Sequence, residues 1–279
     1  MKRIATIILA LCLCACGSPV ADQGGEKIIL TNEEDTKIST NVCKIALSDD
    51  DAQIDGIGAR LENGELIIYE SGEYTLSGKF KGSVTVDITK NHKATLILSD
   101  LSVKSDTSAI NIVSADKINI VLRGNNTLSD GETYADEDSA EPSACLFSAD
   151  DIEISGDGKL TVKANCKNGI ESKNDIKISG GSITITAKRN AVKGKDSVQI
   201  SSGELTVTAA YDGIKSDNEK EDGRGNVIIT GGKITLNCRD DGIQAYRKVE
   251  ISAGDVSITA GDNKINCDGT ISAPENCIK

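Results

Sequence analysis

From Gly64 onward, apolar and polar side chains alternate in short runs such as DIKI (Asp175–Ile178), SITIT (Ser182–Thr186) and ELTVT (Glu204–Thr208). Alternation at period two predicts strands with one buried face, and the Gly, Asn and Asp between the runs predict turns. The runs also recur. NGIESKNDIKISGGSITITAKR from Asn168 aligns position for position with NAVKGKDSVQISSGELTVTAAY from Asn190, a period of 22 residues. DGIKSD follows at Asp212, another 22 on. DGIQAYRKVEISAGDVSITAGD starts at Asp241 after a further 22 plus a seven-residue insertion within NEKEDGRG, and NKINCDGTIS begins at Asn263. Upstream, ACLFSADDIEISGDGKLTVKANCK fits at 24 residues, and AINIVSADKINIVLRGNN fits before a long acidic insertion.

A fixed phase of this kind is the mark of stacked repeats. With three alternating segments per unit, it predicts an all-β fold: a right-handed, single-stranded parallel β-helix with three short strands in each coil of about 22 residues. A β-sandwich would leave the phase unexplained. Stacking the units puts Ile170, Val192, Ile214, Ile243 and Ile265 on one inward ladder and Ile176 and Val198 on a second. Ile183, Leu205, Ile234 and Val256 form a third. Gly181, Gly203, Gly232 and Gly254 share a corner where positive φ is expected. The segment from Gly64 to Val103 alternates less regularly and reads as earlier coils, capped near Lys27 to Lys44, since terminal repeats are atypical.

Composition agrees with aliphatic layers: no Trp, one Met, two Phe and five Tyr in 279 residues, with Val, Ile and Thr prominent. The formal charge of −12 disfavours nucleic acid and anionic lipid and attracts cations. MKR followed by IATIILALCL is a basic then apolar export leader. Leu13-Cys14-Ala15-Cys16 resembles a bacterial lipobox, which assigns lipidation to Cys16. The expected organisation is a lipoprotein signal peptide over 1–16, a polar tether over 17–40 and the repeat domain over 41–279. The chain is then exported, held at the bacterial cell surface through its lipid only, and monomeric. Cys43, Cys145, Cys166, Cys238, Cys267 and Cys277 permit disulfides in that compartment, with Cys267–Cys277 the favoured pair, or serve as buried thiols. A lone histidine, His92, makes a Cys/His zinc site improbable and reads as a surface residue.

The stacked units also align polar columns. Two residues before the inward Ile come Asn168, Asn190, Asp212, Asp241 and Asn263; the next corner holds Asp116, Asp150, Asn174, Asp196 and Asn218. One reading is turn capping by hydrogen bonds along the stack. The other starts from charge: carboxylates about 4.8 Å apart on adjacent strands repel unless a cation lies between them. Asp212, Asp240 and Asp241, joined by Asp217 and Asp196, form a candidate Ca²⁺ set of hard oxygen donors. Glu219, Glu221 and Asp222 in the insertion are expected nearby. The stretch Asp51 to Glu62 places acids at EF-hand positions, but Gln53, Gly58 and strand-like flanks argue against such a loop. Tyr211 and Tyr246 flank the DGI corners and, with Gln244, are the candidate glycan-contacting residues. Too few aromatics are present for a flat stacking platform.

LILSDLSV, SAINIVSADKINIVLRGNNTLSDGETY, LFSADDIEISGDGKLTV, DGIKSD and DDGIQA, in fixed order, resemble a family of bacterial carbohydrate-binding β-helix proteins, often lipoproteins. The resemblance implies bound calcium and affinity for plant-wall polysaccharide, acidic pectin included. It also implies a fold similar to polysaccharide lyases. Asp240, Asp241 and Asp212 match the DDG-type calcium cluster of the ninth pectate lyase family, whereas Gln244 stands where a further acid would be. An acidic protein repels polygalacturonate, so Ca²⁺ is expected to bridge protein and uronate. The expected function is calcium-dependent binding of acidic or cell-wall polysaccharide without catalysis. Two alternatives stay open: a pectate lyase with Lys215 or Lys264 as base, and a structural or adhesive repeat protein.

Overall fold

Residues one repeat apart lie side by side. In the computed structural model, which describes residues 41–134, 142–274 and 278–279, Ile170 pairs with Val192, Val192 with Ile214, Ile214 with Ile243, and Ile243 with Ile265. The ladders through Ile176 and Val198 and through Ile183, Leu205, Ile234 and Val256 pair as the 22-residue phase requires. Their apolar side chains are buried, along with Ile110 and Leu146 further up the stack, and only the terminal Ile265 is half-buried. Each fully buried Ile or Leu contributes roughly 1.5–3 kcal/mol, so many thin aliphatic layers replace the aromatic core that the composition lacks. The expected leader and tether, with Cys16, lie outside the described residues. So do Cys277 and most of the expected cap.

The ladders are not arranged as expected. Three short strands per coil would give a single-stranded β-helix. Instead, two of the three segments run together as long continuous strands, Lys93–Lys104, Asp175–Ala187 and Ser197–Ala209. Asp175–Ala187 pairs with Asp151–Gly156 through its first half and with Lys159–Ala164 through its second. Lys93–Lys104 likewise pairs with both Lys117–Arg123 and Asn125–Ser129. Those pairings, with Lys117–Arg123 to Asp151–Gly156 and Asn125–Ser129 to Lys159–Ala164, close a ring of six parallel strands. The fold is therefore all-β with a closed six-strand parallel barrel continued into a mixed sheet, and the single-stranded β-helix is set aside.

The reason lies at the glycine corner. Gly181, Gly203, Gly232 and Gly254 do adopt positive φ, at 81°, 92°, 91° and 111°. At Gly181 this produces a bulge inside a strand, with register shifts at Ser179, and does not end the strand. Alternation marks both halves but is silent on whether hydrogen bonding continues through the corner.

Among the described residues, a 15-stranded sheet carries the barrel, and a 10-stranded sheet of short strands makes the remaining wall. Each sheet starts with an antiparallel hairpin: Val42–Asp49 with Asp51–Asp55, and Ala59–Glu62 with Glu65–Ile68. The EF-hand-like stretch falls in these hairpins, as strand at Asp51–Asp55 and Ala59–Glu62, with Gly56 to Gly58 bending between them. His92 is exposed in a turn. Cys43, Cys145, Cys166, Cys238 and Cys267 are free thiols, so no Cys267–Cys277 bridge is formed at the Cys267 end. Burial pushes the Cys238 thiol up to about 12, with nearby Asp212 adding to the shift.

The short strands hold the DGI corners, and there glycine is required by space. A Cβ on Gly213 would lie 2.6 Å from the Gly242 carbonyl and 2.8 Å from Cys238 Sγ. One on Gly242 would lie 2.3 Å from Ile258 Cγ2. Neither glycine has positive φ. Gly242→Ala is expected to destabilise the protein by about 1–3 kcal/mol through overpacking, read as a lower urea midpoint at unchanged m-value; an unchanged midpoint would mean the corner relaxes freely.

Candidate functional site

The Asn/Asp column at the start of each short strand is a hydrogen-bonded ladder. The backbone N–H of Asn190 donates to Asn168 Oδ1 at 3.0 Å, and that of Asp212 to Asn190 Oδ1 at 3.1 Å. Asp241 N–H donates to Asp212 Oδ1 at 3.2 Å, and Asn263 N–H to Asp241 Oδ1 at 3.0 Å. Each side chain thus caps the next repeat, satisfying a buried backbone donor. Asn supplies that acceptor as well as Asp does, so the charges on Asp212 and Asp241 are surplus to the turn.

Those charges are buried, with Asp212 only 2% and Asp241 3% exposed. Asp241 Oδ2 accepts from Asn266 Nδ2 at 2.7 Å, and Asp212 Oδ2 faces Lys215 Nζ at 3.0 Å. Asp240 completes the group: one carboxylate oxygen from each of the three lies within 4.8 Å of the others. Partial burial and then the charges of Asp212, Asp241 and Asp262 push the Asp240 carboxyl above the usual range. Among the described residues its carboxylate has no hydrogen bond or ion pair.

The outer face of the short-strand sheet adjoins this trio. Its outward column runs Glu171, Lys193, Lys215, Gln244 and Asn266, in register from strand to strand. Lys215 also donates to Gln244 Oε1. Lys193 Nζ meets Asp217 at 3.2 Å and the buried Glu171 at 3.8 Å. Lys215, Gln244, Asp217, Glu219, Tyr246 and Asp268 border a cleft of about 200 Å³.

The family model for carbohydrate-binding domain-containing proteins matches residues 62–277. The chain belongs to that family. A carbohydrate-binding domain-containing protein of Acetivibrio thermocellus is 39% identical over 189 residues, 66% of this chain; the chain spans 63% of that relative's length. Among solved structures, the polysaccharide lyase-like protein from C. thermocellum, a gadolinium derivative, superposes with a TM-score of 0.82. It shares 39% sequence identity, and the match covers 85% of this chain and 98% of that one.

Within this carbohydrate-binding fold, the residues singled out by sequence divide into three places. Asp212, Asp240 and Asp241 come together. Asp217 does not join them: it pairs with Lys193 on the cleft side. Asp196 belongs to the opposite corner, where it accepts from Asn218 Nδ2 at 2.6 Å and pairs with Arg224 at 3.3 Å. Asp196 there borders a polar groove of about 530 Å³ with Asp116, Asp150 and Asp175. The insertion acids also point elsewhere: Asp222 pairs with Arg247 at 3.0 Å, Glu221 lines the Asp196 groove and Glu219 the cleft. Tyr246 (37% exposed) lines the cleft with Gln244, while Tyr211 (49% exposed) precedes Asp212 outside it. Tyr134 is buried, donating its hydroxyl to Asp130 at 2.8 Å. Lys264 is exposed.

Sequence reasoning passed over Lys193, Glu171 and Asn266. Their signal was available, since all three follow the inward apolar residue of their repeat, in one column with Lys215 and Gln244. Asp241→Asn should preserve the cap and stability, whereas Asp241→Ala strands the Asn263 N–H and should cost about 1–3 kcal/mol, measured by urea unfolding of both variants.

Proposed function

We propose that the protein binds acidic polysaccharide of the polygalacturonate type on the outer face of the short-strand sheet, around Lys215, Gln244 and Tyr246, with Ca²⁺ at the adjoining carboxylates. The observation carrying this reading is the convergence of Asp212, Asp240 and Asp241 within 4.8 Å of one another beside that cleft. Hard carboxylate oxygens suit Ca²⁺, and the Asp240 oxygens are uncommitted to any donor among the described residues. Bound there, the ion adds positive charge next to a cleft whose neighbouring lysines, Lys193 and Lys215, are already engaged by acids, in a chain of net charge −12. Membership of a carbohydrate-binding family supports the glycan. The structural neighbour is described as a gadolinium derivative, and gadolinium, like calcium, prefers oxygen donors.

The protein's own residues then divide the work. Asp212 and Asp241 are fixed by the capping ladder, so their oxygens are preorganised. Asp240, at the partly exposed rim, is the acid most open to solvent and ligand. Gln244 and Asn266 offer neutral amides to sugar hydroxyls, and Tyr246 gives the cleft one aromatic wall. Binding proceeds without cleavage in this reading. β-Elimination needs a base that can accept the proton beside the uronate. Lys215 is engaged as a donor to Asp212 and Gln244, and Lys264 is a solvent-facing side chain. Export and anchoring through a lipidated Cys16, with a monomeric domain standing off the membrane, complete the proposal.

The neighbour's lyase-like description keeps one second reading in view, that of a calcium-dependent pectate lyase. Affinity electrophoresis in polygalacturonate gels, with and without chelator, decides between the readings together with an ultraviolet assay for unsaturated product. Retention in calcium that disappears with chelator, and is weakened in Asp241→Ala, is expected, with no product formed. Retention unchanged by excess chelator would sink the calcium bridge. Product formation would establish the lyase. A chelator-lowered melting temperature without any retention would assign a purely structural or adhesive role.

A further inference from the structure

The carboxylate trio already holds one cation, and it belongs to the chain. Lys215 Nζ lies 3.0 Å from Asp212 Oδ2, while Asp212 is buried and the lysine side chain remains 22% exposed. The ammonium therefore sits at the mouth of the cluster, between the acids and the cleft. It is held on the far side by Gln244 Oε1.

Folding alone does not account for the pair. At the position of Asp212, two other repeats use Asn168 and Asn190 and cap equally well. At the position of Lys215, the next two repeats use the neutral Gln244 and Asn266. Partly buried ion pairs seldom repay their desolvation, and fixing a lysine costs side-chain rotamer entropy. A further cost comes from Lys193, the register partner of Lys215 on the neighbouring strand. Like charges directly opposite one another destabilise a sheet. Both lysines are tolerated because each has an acid at its side: Asp212 for Lys215, Asp217 and Glu171 for Lys193.

We propose that Lys215 is a displaceable internal counter-ion that couples cation binding to glycan binding. A divalent cation entering the trio competes for Asp212 Oδ2 and releases the ammonium. The released ammonium, beside Lys193 at the edge of the cleft, becomes a partner for the carboxylate of a uronate residue. An ammonium has three donors, so Lys215 can keep Gln244 while it exchanges Asp212 for the sugar. The protein's affinity for acidic glycan then rises with calcium through a side chain as well as through the ion itself. By linkage, glycan raises calcium affinity by the same factor. This inference rests on the proposed calcium and acidic-glycan reading of the site.

Calcium titration by calorimetry on the glycan-free protein tests the displacement directly. Removing the competitor in Lys215→Gln should tighten calcium binding on the order of tenfold. Lys215→Arg, which clasps Asp212 more firmly through a planar fork, should weaken it relative to the wild type. That opposite direction also guards against a general loss of structure in the Gln variant. In polygalacturonate gels containing calcium, Lys215→Gln should lose several-fold of its retention despite binding the ion more tightly. Methyl-esterified pectin, which lacks the carboxylate charge, should not discriminate wild type from Lys215→Gln. Equal calcium affinity in all three proteins, or undiminished polygalacturonate retention in Lys215→Gln, would overturn the coupling while leaving chelator-sensitive binding by the wild type intact. Absence of any calcium binding by the wild type would remove the calcium reading and the coupling with it.

Discussion

Parallel hydrogen bonding between residues one repeat apart is the constraint on which the rest of the molecule depends. It sets every side chain directly against its own counterpart at the adjacent-strand spacing of about 4.8 Å. Whatever the sequence repeats, the structure therefore accumulates. Ile upon Val upon Ile builds a dry interior from residues that individually bury little area. Asn upon Asn builds a capping ladder in which each amide oxygen takes the next backbone N–H. The same rule makes Asp upon Asp a local excess of charge, and nothing in the geometry of the stack can move the two carboxylates apart.

The site follows from that rigidity. Asp212 and Asp241 are held by the hydrogen bonds they accept, so their repulsion must be met by incoming positive charge or by donors. Asn266 answers for Asp241 with an amide, and Lys215 answers for Asp212 with an ammonium. Asp240 is answered by neither, and its carboxyl pKa is raised by partial burial first and by the neighbouring acids second. The acids are thus concentrated where the chain departs from its own Asn pattern, and the departure faces a cleft.

Much of this was readable from the repeat. The inward ladders, the positive-φ corner and the convergence of Asp212 with Asp241 follow from aligning units, because a 22-residue phase translates directly into spatial adjacency. Fold class was misjudged because alternation is identical on either side of the Gly181 bulge, whether the strand stops there or continues. Asp196 and Asp217 lie close to the trio in the repeat but not in space. Successive strand residues face opposite ways, and each corner turns the chain onto another wall. The lysine partners are hidden for a related reason: Lys215 pairs with Asp212 and Lys193 with Asp217, acids of other columns, so the outward column by itself shows only the contact of Lys193 with Glu171.

The seven residues that interrupt the phase after Asp217 carry a different lesson. They enlarge one corner, yet Ile214 still pairs with Ile243 and Val198 with Val227. Length variation at a corner is invisible to the walls on either side. Such a molecule can be lengthened by duplicating a unit, or given new loops at its corners, without reopening its interior to selection. Diversity of binding surfaces can accordingly arise by editing corners, while the aliphatic interior passes unchanged from one descendant to the next.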